Sequence, residues 1–284
     1  MTPLRQKMIE AMQVRGFSVR THQSYLAAVS ALAKYYGRSP DELGRDELQA
    51  YFLYLVKERG LSGASCRLYL NAIRFLYLQV LARDAFEVSL QVPRKAQRIP
   101  ELLTRKEVRA VLASVANLKH QTLLRLCYGC GLRVSEVVAV KVRQLDGERH
   151  LLRVELGKGA MDRSVIVSPT LLEHLRRYWQ DYRPRTWLFP GQRHSEPLGI
   201  QSAQRVFTAA KRRAGIDKIG GIHSLRHAYA THQLEAGVPV HQLQQLLGHR
   251  SLQATLRYVH WIVGYRAGEQ ASHDLLAALE QDHE

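Results

Sequence analysis

Cysteine is scarce in this chain: three residues in 284, Cys66, Cys127 and Cys130. So small and odd a number excludes a disulfide-built scaffold and fits a reducing compartment. Cys127 and Cys130 form a single CxxC within the apolar run TLLRLCYGCGL. No second Cys or His pair at zinc-finger spacing accompanies it, so the pair reads as small core residues. With 19 glycines and 9 prolines the chain is neither collagen-like nor of low complexity. Nowhere do 18 uncharged apolar residues follow one another, which leaves no helical membrane span. The charged opening MTPLRQKMIE has no apolar signal-peptide region, so a cytoplasmic protein is expected. A glycine-rich phosphate loop, a paired-carboxylate cluster and a metal-ligand array are all missing from the sequence, and no cofactor or metal is expected. A basic protein of this kind would then either only bind its charged partner or use its own side chains as nucleophile and electrostatic clamp.

What is abundant is positive charge. Lys and Arg number 41 against 25 Asp and Glu, a formal +16, in a chain that is 46% hydrophobic. That apolar content over this length builds one large or two modest cores and excludes intrinsic disorder. Self-repulsion at such a charge opposes folding, so a polyanionic partner is expected, nucleic acid ahead of an acidic membrane surface. A merely basic soluble protein is the plainer reading of the same number.

Periodicity divides the chain into a helical bundle over 1–90, a linker over 91–103 and a second domain over 104–284. Ser18 caps a helix through Thr21, Tyr25, Val29, Leu32 and Tyr36 that stops in the turn Gly37 to Pro40. A helix over 46–58 presents Leu48, Tyr51, Phe52, Leu55 and Val56, and Ser62 opens another carrying Tyr69, Ile73, Leu76 and Val80. An opening helix around 4–14 completes the bundle. The linker VPRKAQRIPELL has two prolines and no helical pattern. It reads equally as a segment lying along phosphates and as a solvated connector. Thr104 and Glu107 stand at capping-box spacing at the start of the second domain. LLRVEL and RSVIV flank GKGAMD as an antiparallel hairpin, and helical patterns return at 171–178, 202–213, 224–235, 240–247 and 254–258. The fold class is therefore mainly α, in two domains, the second with one small antiparallel β-sheet. Both are basic, +4 over 1–90 and +12 over the remainder, as expected if both touch one polyanion.

Polar candidates concentrate near the C-terminus in GIHSLRHAYATH, LLGHRS and LRYVHW. His223 and Arg226 share one face at a helix start, where the helix end itself favours an anion. Together they form a phosphate clamp or a merely polar surface. His249 follows Gly248 at the close of a leucine-rich helix, and Tyr258 comes nine residues later. Upstream, Arg133 lies in GLRVSE and Lys158 at the hairpin tip. In this order and spacing the fragments resemble the tyrosine recombinase, or phage integrase, family of the Xer and integrase type. The resemblance covers nearly the whole chain. The 65 positions from Lys158 to His223 leave little room for the extra helical stretch of integron integrases.

The resemblance implies a SAM-like, DNA-clamping N-terminal bundle and a catalytic domain that cleaves DNA strands and rejoins them. Tyr258 would be the nucleophile, Arg133 and Arg226 would grip the scissile phosphate, and His223 and His249 would hydrogen-bond its oxygens and manage the tyrosine proton. Lys158 would protonate the departing 5′ oxygen, leaving a 3′-phosphotyrosyl link. The partners implied are double-stranded DNA with paired inverted half-sites and further copies of the chain, assembled as a tetramer. Two other readings stand beside this one: a DNA-binding relative that has lost the chemistry, and a type IB topoisomerase. Glu136 either braces Arg133 or is an exposed helix charge, and Trp261 either stacks in the site or fills the core. His227 and His232 read as structural or DNA-facing, and His260 carries no assignment. The tail over 264–279 packs on a neighbouring copy or on its own domain.

Overall fold

Hydroxyl side chains set the helix starts of the N-terminal unit. Ser18 Oγ accepts from the Thr21 N–H at 3.2 Å, and Ser62 Oγ accepts from the Ser65 N–H at 3.3 Å, each satisfying a donor that the first helical turn leaves open. In this computed structural model, which describes residues 2–83, 86, 88, 101–155 and 162–261, the chain divides into two units, Met1–Arg98 and Ile99–Glu284. The first contains α1 (Pro3–Val14), α2 (Val19–Tyr36), α3 (Arg45–Lys57) and α4 (Gly63–Phe75). Their inner faces bury Met8, Met12, Leu32, Leu48, Phe52, Leu55 and Ile73. Each such side chain removed from water contributes about 1.5–3 kcal/mol. Val56, expected on the inner face of α3, is exposed instead. The helix expected to run through Val80 closes at Phe75 and continues as a π-helical turn, Leu76–Val80.

The second unit begins at α5 (Arg105–Ala113), where Thr104 and Glu107 form the expected capping box. Helix α6 (Leu118–Gly129) is buried along Leu123, Leu124, Leu126 and Cys127, and the short α7 (Val134–Val138) follows the turn at its end. Cys127 and Cys130 are both fully buried free thiols. Strands β1 (Leu145–Asp146), β2 (Leu151–Val154) and β3 (Arg163–Ile166) form an antiparallel sheet in that order. Only β2 and β3 are legible as a hairpin, in the register Leu152 opposite Val165 and Val154 opposite Arg163. The tip residues 156–161, Lys158 among them, lie outside the described residues. Among the described residues five helices follow: α8 (Pro169–Tyr182), α9 (Ile200–Arg213), α10 (His223–Glu235), α11 (Val240–Leu247) and α12 (Leu252–Trp261). Helix α10 packs against α5, α6, α11 and α12, with Leu225, Ala228 and Ala230 fully buried, so its N-terminal turn is held rigidly. Among the described residues no helix is long and apolar enough to cross a membrane.

Candidate active site

The turn leaving α6 is shaped by Gly131. Its φ of +59° is a conformation that L side chains rarely adopt, and a Cβ there would lie 2.4 Å from the Tyr229 ring. This close approach delivers Arg133 to the N-cap of α7. Its backbone N–H donates to Glu136 Oε2 at 2.8 Å and its Nη1 to Glu136 Oε1 at 2.7 Å. Glu136 therefore braces Arg133 and is buried, and the exposed-charge reading is set aside.

A second guanidinium, absent from the expectations, reaches the same carboxylate. Arg163 of β3 donates from Nη1 and Nη2 to the two Glu136 oxygens at 3.0 and 2.8 Å, and from Nε to the Leu246 carbonyl at 3.0 Å. Arg226, in the first turn of α10, lies 3.7 Å from Glu136 and is 1% exposed. It donates to the carbonyls of Gly131 and Leu247 at 2.6 and 2.7 Å, which fix the guanidinium plane. Three guanidinium groups thus converge on one carboxylate. Burial alone would raise the Glu136 carboxyl, but hydrogen bonding and charge from Arg163, then Arg133, hold it at about 2. Burial and the neighbouring Arg133 charge bring the Arg226 guanidinium down to about 10. A net positive cluster kept from water is costly until an anion enters, and planar guanidinium forks match a phosphate.

The other side of the cavity is aromatic. Gly248 ends α11 at φ +63°, where a Cβ would meet the Arg163 side chain at 2.8 Å. His249, just beyond, receives the Arg226 Nη2 donor at Nε2 (3.0 Å). Since arginine only donates, the ring proton sits on Nδ1 and is donated to Thr255 Oγ1 at 2.8 Å. The His249 ring stacks parallel to Tyr258, with centroids 6.1 Å apart and planes 4° apart. Tyr258, on α12 and 3% exposed, is 3.2 Å from His227 Nδ1 through its hydroxyl and meets Trp261 edge-on at 5.1 Å. Burial pushes the Tyr258 phenol up, against the charges of Arg226 and Arg257. Burial, followed by Arg226 for His249 and by His223 for His227, brings both imidazoles down to about 4. Both are neutral near pH 7. His223, at the open side, is lowered by desolvation and then by Arg226 and Arg133.

Five of the six expected residues, Arg133, His223, Arg226, His249 and Tyr258, line one cavity of about 1000 Å³. Trp261 belongs to the site's aromatic wall, which joins both of its readings. His232 turns away, hydrogen-bonded to the Tyr128 hydroxyl at 2.9 Å, and His260 is exposed. Arg163 and His227 were missed as site residues. Arg163 shares the inward parity of Val165 on β3, an unusual place for a charge, and His227 stands four residues after His223 on one helical face. Among the described residues no group of three or more His, Cys, Asp or Glu is placed to hold a metal.

Residues 101–262 match the phage integrase family. The chain belongs to that family. Residues 4–87 match the SAM-like N-terminal domain of phage integrases. Similarity extends along most of the chain. The y4qK protein of Sinorhizobium fredii, which carries an integrase/recombinase name, is 45% identical over 260 residues, covering 91% of this chain and 84% of that protein. The tyrosine recombinase XerA of Pyrococcus horikoshii is 30% identical over 250 residues, covering 87% and 85%. Among solved structures, a lambda integrase fragment (75–356) bound as a dimer to a core site shares the fold, with TM-score 0.73 and 20% identity, covering 89% of this integrase-family chain and 92% of the fragment.

Proposed function

We propose that this chain is a site-specific DNA recombinase that cuts and rejoins strands through a 3′-phosphotyrosyl intermediate. The observation that carries the reading is the convergence of three guanidinium groups on one carboxylate beside a buried tyrosine hydroxyl. Arg133 and Arg226 hold the scissile phosphate and neutralise the charge that builds on its non-bridging oxygens. Tyr258 Oη attacks phosphorus in line with the 5′ oxygen, the P–O5′ bond breaks, and Lys158 protonates the departing oxygen. His223 and His249 hydrogen-bond the phosphate. The phosphoester bond is exchanged and never hydrolysed, so a 5′ hydroxyl from a second strand reverses the step without ATP.

The rest of the assembly extends this reading. Residues 1–90 and 104–284 both contact duplex DNA, with 91–103 as the basic linker. Four copies act on two sites made of paired inverted half-sites, within the bacterial cytoplasm and in the service of a mobile element. Support comes from positive charge in both parts of the chain and from relatives named as recombinases and integrases. Five site residues in one cavity weigh against a relative that has lost its chemistry. A plasmid without a recombination site should stay supercoiled with this protein, whereas a type IB topoisomerase would relax it.

The test begins by selecting bound sequences from a random DNA pool. The recovered sequence, built into a nicked duplex that traps the covalent adduct, should give a protein–DNA band on a denaturing gel. Tyr258→Phe should remove the band and leave DNA affinity within about twofold, since the hydroxyl carries no phosphate charge contact. An adduct formed by the Phe variant contradicts the role of Tyr258.

A further inference from the structure

We propose that His227 is a catalytic residue of this site: its Nδ1 takes the Tyr258 proton during cleavage and returns it during rejoining. This rests on the reading of Tyr258 as nucleophile and adds to it the identity of the base. A phenol with an ordinary pKa of about 10 is a weak nucleophile near neutral pH unless its proton has somewhere to go. The geometry restricts the choice among three nearby imidazoles.

His249 has both ring nitrogens in use. Its Nε2 lone pair accepts from Arg226 at 3.0 Å, its Nδ1 faces Thr255 at 2.8 Å, and it offers Tyr258 the flat face of its ring. His223 meets His227 edge-on at 4.5 Å between centroids, and among the described residues it makes no hydrogen bond to Tyr258. His227 Nδ1 is 3.2 Å from the phenolic oxygen, inside the range for direct proton transfer. Its ring is fixed by edge-on contacts with His223 and with Trp261 at 5.3 Å. The charged and titratable groups around it are His223 and Arg226 on α10, Arg257 and Tyr258 on α12, and His249 between α11 and α12. Together with burial they keep the imidazole neutral, which is the form a base requires.

The step balances. As Tyr258 Oη bonds to phosphorus, its proton passes to Nδ1 and His227 becomes imidazolium, with Nε2 carrying the other ring proton. The P–O5′ bond breaks and the 5′ oxygen takes its proton from the general acid. In rejoining, the 5′ hydroxyl attacks phosphorus and returns its proton to the general acid, the P–Oη bond breaks, and His227 returns the other proton to the phenolate. The imidazolium formed between steps lies beside a phosphate, which offsets the repulsion from Arg226 and Arg257.

The experiment uses the full chain with the nicked duplex built from the pool-selected sequence and measures single-turnover adduct formation from pH 6 to 9. His227→Asn keeps an acceptor near Nδ1 without basicity, and His227→Phe keeps the ring's packing. Both should slow adduct formation by about 100-fold at pH 7, with DNA affinity changed less than about twofold. The deficit relative to the unaltered protein should shrink by roughly tenfold per pH unit as solvent hydroxide ionises the phenol instead. A deficit that is equal at every pH marks a purely structural role and overturns the proposal, as does a rate within about threefold of the unaltered protein. If either variant melts early, the other decides by the same ratio. Should Tyr258→Phe still form the adduct, the underlying reading fails, an outcome distinct from a pH-independent His227 deficit.

Discussion

Glu136 shows how one side chain can organise a catalytic cavity. Among the described residues it is the only carboxylate shown in ion-pair range of three arginines, and it lies almost wholly out of water. Glu136→Gln keeps its size but replaces one of its two accepting oxygens by an NH2 donor, so that two of the four bonds it accepts are lost and the guanidinium groups face one another. Removing one partner of a buried ion pair costs about 3–5 kcal/mol, so urea denaturation should show a loss of that order. A loss under about 1 kcal/mol would mean that the cluster is solvated. Acid should expose the same residues in sequence. His227 and His249 bind protons less readily folded, near 4, than at their ordinary 6.5. Their contribution is therefore complete above about pH 6.5 and is lost as the pH falls toward 4, because the unfolded chain takes up the protons first. Glu136, lowered from 4.5 to about 2, adds a further loss across that lower interval. Melting temperature followed from pH 8 to 3 should decline in these two stages; a flat profile down to pH 5 contradicts the neutral, buried state of the imidazoles.

Helix boundaries were readable wherever a local rule decided them. Ser18, Ser62 and the Thr104–Glu107 pair each cap a helix as their sequence context predicts, because a cap depends on three or four consecutive residues. The features missed depend on partners distant in sequence. Strand β1 is two residues long and exists through its pairing with β2. Arg163 becomes part of the site because β3 runs beside α7 and the end of α11. His227 reads from the sequence as structural or DNA-facing, and enters the site because α12 places a hydroxyl against it. The turn between α6 and α7 illustrates the reverse dependence, in which a local conformation sets a distant contact. Gly131→Ala forces a Cβ into the Tyr229 ring at positive φ. It should cost about 1–3 kcal/mol and weaken the Arg226 bond to the Gly131 carbonyl, so both thermal stability and adduct yield should fall. Unchanged stability would show that the turn relaxes freely.

For the molecule as a whole, the +16 charge suggested a polyanion, and the structure assigns part of it to one cavity. Arg133, Arg163 and Arg226 are tied to Glu136, and the proposed contact with a longer stretch of phosphates would draw on other basic residues of both units. DNA affinity should therefore fall steeply with salt, each neutralised phosphate adding about 0.9 to the slope of log K against log salt. A footprint on both units predicts a slope well above that of the second unit's cavity alone, and a slope near one would contradict it. The proposed strand exchange requires a covalent bond between Tyr258 and DNA. Digesting the trapped adduct and locating the nucleotide by mass spectrometry tests that bond directly. The predicted result is a peptide modified at Tyr258 through a 3′ phosphate, with a free 5′ hydroxyl on the released strand; a nucleotide attached to any other residue, or joined through a 5′ phosphate, would contradict it.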